Sequence, residues 1–449
     1  MLDYVVDGWC VWPILRKVVA DRITGDFAYS AGKAANVSPL WSQAARDAVA
    51  LLRLGPARLL IKTYSSGLLE ETENGKIRDV WFDDLIIRHP GAVKLEGINN
   101  RAFIPARGRA LLPSAATTTL TDLTSQFLAG RLKWLPSIDS TSRELCAVIN
   151  SEFGNMFSET TIRTGLANFF WQRRIWAAIL SRVKPETVLL ADFGEYGLVA
   201  AARERGARVL EMQHGIADRH HPAYAWSTYA TSSRRRMPIA ERLLMYGDFW
   251  KGELSHSDFW SDAVDVVGSS RIDRGRSIAR TSGAGPYRLL VTADGIESVN
   301  TIRVIRELIQ SSQREKLEVV IKLHPVYNAL DEEIRAAFAG ETRVAVKGAS
   351  DGASTFQLLR GVDLHASIGS ASHYDALGLG TPTAIIGAGN YKTVLQLHES
   401  GHAALVFTGR ELLDALTRAR RARVATEVSD LYFREGAINN ILAILGEPL

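Results

Sequence analysis

The sequence is poor in cysteine. Two cysteines in 449 residues, Cys10 and Cys146, allow no disulfide framework and no CxxC metal pair, a usage that fits a reducing cytoplasm. Long apolar runs are also missing. No window approaches the roughly 20 residues that span a bilayer, so the chain is expected to be soluble or to rest on a membrane face. The opening MLDYVVDGWCVWPILRK puts acids ahead of its apolar part and lacks the uninterrupted core of a signal peptide. A dense basic stripe with interleaved aromatics is absent, so nucleic acid is not an expected partner. The formal charge of +4 is a mild excess, which fits an anionic small substrate or an anionic membrane surface. Metal-site spacing is lacking as well: there is no HExxH helix pair and no DxD at a strand end. The adjacent Asp83 and Asp84 of FDD read as opposite faces of a strand. No metal or other cofactor is expected.

What the chain does have is rhythm. From about residue 160 a helix, ETTIRTGLANFFWQRRIWAAILSRV, leads to the strand TVLLAD (187–192), the helix EYGLVAAARERG and the strand ARVLEM (207–212). RLLMYG (242–247) and AVDVVG (263–268) read as further strands. The polar, Gly-rich stretch 269–287 carries no apolar periodicity and reads as a linker. A second alternation follows, with strands YRLLVTA, LEVVIKL, TRVAVK, VDLHAS and TPTAIIG, and with helices over 299–312, 330–338, 354–360 and 371–380 and near 409–421 and 430–445. Continuous apolar strands separated by helices predict parallel sheets covered on both faces. The predicted class is α/β, with two doubly wound units. The N-terminal third is less legible: RLLIKTY (58–64) and IRDVWFDDLII read as strands, 38–55 as a helix, and 90–160 as mixed.

Ligands of open parallel sheets bind beyond the carboxyl ends of the strands. TVLLAD ends at Asp192, with Glu195 opening the next helix; ARVLEM runs into Gln213, His214 and Gly215. YRLLVTA runs into Asp294 and Gly295, LEVVIKL (through Lys322) into His324 and Pro325, and VDLHAS into IGSASHYDALG. If the two sheets face each other, these tips share one cleft. Ser367, Gly369, Ser370 and Ser372 precede a helix whose free N–H groups suit a phosphate, although a plain serine cap accounts for the same residues. His324 reads either as a proton or hydrogen-bond donor to that phosphate or as a residue before a strand-ending proline. Asp192 and Glu195 read either as acid–base groups or as a helix cap with a first-turn acid. His214, Asp218, His220 and His221 lack metal-ligand spacing, and His220 and His221 read as loop residues framing Pro222.

VLEMQHGIADRHHPAY, LLMYGDFW and VVGSSRID resemble bacterial surface-polysaccharide glycosyltransferases of the GT-B fold, which carry an E-x-Q-H-G element followed by P-x-Y. KLHP and DLHASIGSASHYDALGLGTP are similar to motifs of sialyltransferases, polysialyltransferases and Kdo transferases, with Asp375 where these often have glutamate. TADG (292–295) resembles their acidic motif, with Ala293 where an acid is expected. The resemblance implies a GT-B protein with two Rossmann-like domains across a cleft. Residues 1–270 would bind the acceptor, 271–286 would link, 287–425 would bind the nucleotide sugar, and 426–449 would form a C-terminal helix packing back on the first domain.

The implied donor is a CMP-activated acidic sugar, sialic-acid-like or Kdo-like, transferred without metal to a polysaccharide or glycolipid. Catalysis would fall to Glu195, Asp192, His214 and His324, and donor binding to Gln213, Asp294, Gly295, Lys322, His324, Pro325, Ser367, Gly369, Ser370, Ser372 and Asp375. A lipid-linked glycan acceptor would place the protein on the cytoplasmic face of the inner membrane, with Arg234–Arg236 or Trp9, Trp12, Arg16 and Lys17 as contact points, unless these are a solvated loop and core packing. The alternatives are a CDP-polyol phosphotransferase of the teichoic-acid type, a sugar-nucleotide 2-epimerase needing no acceptor, and a non-catalytic sugar-nucleotide binder.

Overall fold

The computed structural model describes residues 1–24, 38–65, 70–72, 74–98, 108–132, 135–277, 285–293, 295, 297–312, 316–324, 329–348, 351 and 353–446. Two parallel sheets carry the fold. The first is built from β1 (Leu59–Ser65), β2 (Val93–Ile98), β3 (Ala116–Thr117), β4 (Thr187–Leu190), β5 (Arg208–Met212), β6 (Arg242–Met245) and β7 (Val264–Val266), in the order β3-β2-β1-β4-β5-β6-β7. The second contains β8 (Tyr287–Thr292), β9 (Leu317–Lys322), β10 (Val344–Lys347), β11 (Leu364–Ser367), β12 (Thr383–Ile386) and β13 (Ala403–Val406), in the order β10-β9-β8-β11-β12-β13. Each sheet winds outward in both directions from its first strand, which puts a topological switch point at β1/β4 and another at β8/β11. The predicted doubly wound α/β class is what the chain forms.

Helices cover both faces of each sheet, so the parallel strands are largely apolar, with a few buried polar residues among them. In the helix Glu159–Val183, the Ser158 side chain accepts from the Thr161 N–H at the start and Lys184 adopts a left-handed conformation at the end. Its Trp176, Leu180 and Val183 pack in one core with Leu60, Val188 and Leu190. In the second sheet, Val304 and Leu308 of the helix Val299–Ser311 pack with Leu289, Val291 and Leu416.

Several elements depart from the sequence reading. The strand expected over IRDVWFDDLII is the two-residue strand Ile77–Arg78 followed by the helix Asp83–Arg88. Asp79 Oδ1 accepts from the N–H groups of Trp81 and Phe82, which turns the chain, and the aspartates of the first helical turn suit its positive end. Asp83 and Asp84 therefore occupy a helix rather than two faces of a strand: Asp83 pairs with Lys94 at 2.6 Å, and Asp84 pairs with Arg78 and Arg274. Strand β13 lies in a stretch left unassigned, and the helix expected near 430–445 is two helices, Thr426–Tyr432 and Ala437–Leu445, broken at Gly436 (φ +82°).

The stretch read as a linker begins with a helix, Ser270–Arg276. Its Ile272 is buried in the core, and arginines make further contacts. Arg276 donates to the Gly378 carbonyl at 2.8 Å, to Asp430 at 2.7 Å and to the Phe433 carbonyl at 3.0 Å. The C-terminal segment returns to the first sheet, where Ile441 and Leu442 pack with Leu59, Ile61 and Leu85. At the crossing, Arg434 N–H donates to the Tyr246 carbonyl at 2.7 Å. Gly268 (φ +92°) passes so close to the Arg434 carbonyl that a Cβ would collide with it.

Candidate functional site

A cleft opens between the two sheets at the carboxyl ends of their strands. His214 and Tyr246 line it from the first sheet, Arg271 from the helix between the sheets, and Ala371, Tyr374 and Asp375 from the second. His214 and Asp375, both candidates from sequence, thus share one cavity. Asp294 and Pro325 lie outside the described residues.

On the first side, the turn after β5 is held by Gln213. Its Oε1 accepts from the Tyr246 N–H at 2.8 Å, and its Nε2 donates to the Gly215 carbonyl at 2.8 Å. Gln213 is buried and spends its amide fixing that turn. His214 stacks on Phe193, with ring centroids 5.6 Å apart, and its buried Nδ1 has no hydrogen-bond partner. Burial lowers its pKa while the Asp192 carboxylate pulls the other way, so the ring tends toward the neutral form that can accept a proton. Asp192 itself caps the Gly194 N–H at 2.8 Å. Beneath lies Glu211, the acid of the E-x-Q-H-G element, which accepts from the hydroxyl of Tyr224, the tyrosine of P-x-Y. Burial pushes the Glu211 carboxyl up to about 8. His221 joins this aromatic packing through Phe193 and Tyr224, whereas His220 is exposed.

Glu195 belongs to a charge cluster that sequence reasoning missed. Lys62 of β1 is almost fully buried, and its Nζ lies 2.5 Å from Glu195 Oε1. Asp122, from the helix Thr119–Arg131, interacts with the same lysine; burial pushes its carboxyl up to about 6 against the pull of Lys62. The missed signal was a lysine inside the apolar run RLLIKTY.

On the second side, most of the serine hydroxyls are engaged internally. Ser367 donates to the Thr292 carbonyl at 2.6 Å, and Ser372 Oγ sits 2.8 Å from Thr292 Oγ1, 3.1 Å from His365 Nε2 and 2.8 Å from Ser370 Oγ. Ser370 is the half-exposed member of the turn. A Cβ at Gly369 would press on the side-chain amide of Asn390, and Gly295 adopts φ +76°. Lys322 is buried, with its Nζ 2.6 Å from the Gly348 carbonyl. Burial lowers His324 to about 4. Asp375 Oδ2 lies 3.5 Å from Arg271 Nη1, and burial raises its pKa while that guanidinium opposes the shift.

The surfaces considered for membrane contact are largely occupied. Arg234 pairs with Asp262 at 3.2 Å and lies over Trp260, leaving Arg235 and Arg236 exposed. Trp9 is buried with its indole N–H on Glu204 at 2.7 Å, and Arg16 lies over Trp226. No helix among the described residues is long and apolar enough to cross a membrane.

No protein-family model matches the chain, and no curated protein matches it at a significant level. Solved structures do share its fold. A UDP-GlcNAc 2-epimerase from Methanocaldococcus jannaschii superposes with a TM-score of 0.51 at 13% identity, covering 86% of this chain and 99% of the other. The S. aureus protein MnaA, solved with UDP, superposes with a TM-score of 0.52 at 12% identity, covering 87% and 99%. The fold is therefore the two-domain GT-B type. The CMP-activated acidic-sugar donor implied by the motif resemblance is corrected by these likenesses, one named for UDP-GlcNAc and the other solved with UDP. The physical reason is that a strand-end serine turn and a histidine address phosphate, which CMP and UDP compounds share, and carry no information about the base.

Proposed function

We propose that this chain is an enzyme acting on a UDP-activated sugar bound in the cleft between its two sheets. The observation that carries the reading is the meeting of His214 and Asp375 in one cavity, at the strand ends of two doubly wound sheets in a GT-B fold. Neutral His214, with its free Nδ1, serves as the general base. In a transfer reaction Nδ1 takes the proton of an acceptor hydroxyl, the oxygen bonds to the anomeric carbon, and UDP departs with the electrons of the broken C–O bond. The E-x-Q-H-G and P-x-Y elements, joined through Glu211 and Tyr224, support this transferase reading with a glycan acceptor. The nucleotide would sit on the second sheet near Ser370, and the acceptor on the first.

The likeness to a UDP-GlcNAc 2-epimerase favours a second reading, in which the same base acts on a UDP-sugar with no acceptor. One experiment separates them. The protein is incubated with UDP-GlcNAc and other UDP-sugars, with and without a glycan acceptor, and the products are resolved by chromatography and NMR. UDP release that needs acceptor and is lost in His214→Ala supports transfer, whereas conversion of the lone UDP-sugar supports epimerisation. Failure to bind either UDP or UDP-sugar would sink both.

A further inference from the structure

Arg271 has more hydrogen-bonding capacity than its surroundings use. The residue is 8% exposed, yet its Nε has no hydrogen-bond partner. Nη1 reaches Asp375 Oδ2 only at 3.5 Å, the outer limit of a hydrogen bond. The guanidinium carbon stands 4.2 Å from the centre of the Phe356 ring, which supports one face of the group and accepts none of its N–H bonds. Arg276, on the same helix, is fully engaged by two carbonyls and a carboxylate. A buried guanidinium held this loosely costs free energy that a bound acceptor would recover. The cleft contains a second buried nitrogen without a partner, His214 Nδ1. Both residues line the one cavity, and their unmet polar atoms mark it as a place where a ligand supplies the acceptors.

Resting on the UDP-sugar reading above, we propose that Arg271 is the anion-binding group of the cleft, gripping the diphosphate of the nucleotide sugar. Asp375 is its placeholder, holding the guanidinium loosely until the anion displaces it. The planar fork suits two oxygens of a diphosphate, which a lysine ammonium cannot match in the same way. A full-strength Arg–Asp pair would resist displacement. The long contact leaves Arg271 positioned and available.

Trp81 and Trp250 line the same cavity, so intrinsic fluorescence can report occupancy. The full chain and its variants Arg271→Gln, Arg271→Lys and Asp375→Asn are titrated with UDP, uridine and inorganic pyrophosphate, with circular dichroism melts to check folding. Arg271→Gln should weaken UDP and pyrophosphate by roughly tenfold or more while leaving uridine unchanged. Arg271→Lys should restore only part of that loss, and Asp375→Asn should tighten both anions. The proposal is overturned if Arg271→Gln binds both anions as the wild type does, if it loses uridine to the same degree, or if Asp375→Asn weakens the anions. A wild type that binds pyrophosphate with this Arg271 dependence, but neither UDP nor uridine, keeps the anion site and ends the UDP-sugar reading. UDP binding that ignores Arg271 does the reverse, and binding of none of the three ends both.

Discussion

Lys62 Nζ lies 2.5 Å from Glu195 Oε1 although the lysine is only 4% exposed, so a buried ammonium meets a half-buried carboxylate at the switch point of the first sheet. Removing one member of such a pair leaves an uncompensated charge, which costs more than the pair contributes. Lys62→Met should therefore destabilise the fold in urea titrations, by about 1–3 kcal/mol because Glu195 keeps some access to water. The double variant Lys62→Met/Glu195→Gln should recover most of that loss. A single variant that unfolds at the wild-type midpoint would show that the pair contributes nothing.

Glu211 gives the fold a pH dependence of unusual sign. Burial raises its pKa from an ordinary 4.5 to about 8, so the folded chain keeps a proton that the unfolded chain releases. Stability at this site then falls as pH rises from 4.5 to 8, by up to about 1.4 kcal/mol per pH unit. Denaturant titrations at pH 5, 6, 7 and 8 should show the slope in the wild type and a flatter response in Glu211→Gln. Equal slopes would remove Glu211 from the account.

The imidazole of His373 works in the opposite direction. Its Nδ1 lies 2.6 Å from Thr383 Oγ1, and burial lowers its pKa from 6.5 to about 4. The unfolded chain binds the proton first, so this contribution is present above pH 6.5 and is lost as the pH falls toward 4. Ring-nitrogen NMR should find His373 neutral at about pH 5.5. A ring that titrates near 6.5 would contradict the burial argument.

Gly268 tests the return crossing of the chain. With φ +92° and the Arg434 carbonyl against it, Gly268→Ala combines backbone strain with a collision. The expected cost is about 2 kcal/mol or more, with faster proteolysis beyond residue 433. Gly340 has φ +84° but open space around it, so Gly340→Ala should show the strain alone, about 1 kcal/mol. Equal melting temperatures for the two variants would mean the crossing is not tight.

Most of both sheets was legible because continuous apolar strands alternate with helices, while the strands Val93–Ile98 and Ala116–Thr117 of the first sheet were not. The strand-end rule also led to His214, and the motif resemblance led to Asp375. Arg271 was hidden because an arginine in a polar, aperiodic run looks like linker, and only the docking of two sheets turns it toward a cavity. Asp122 was hidden for a similar reason, since its neighbours Lys62 and Glu195 lie far away in the chain and no local pattern announces their meeting. The base of the nucleotide was not legible because the motifs speak to phosphate. The break at Gly436 was missed because apolar residues continue on both sides of it.

Arg276 grips the Gly378 carbonyl, Asp430 and the Phe433 carbonyl at once, beside both passages of the chain between the halves. The two halves are therefore tied together along one edge, like a book bound at its spine. A chain cut ahead of residue 426 would lose the second binding thread and let the covers twist.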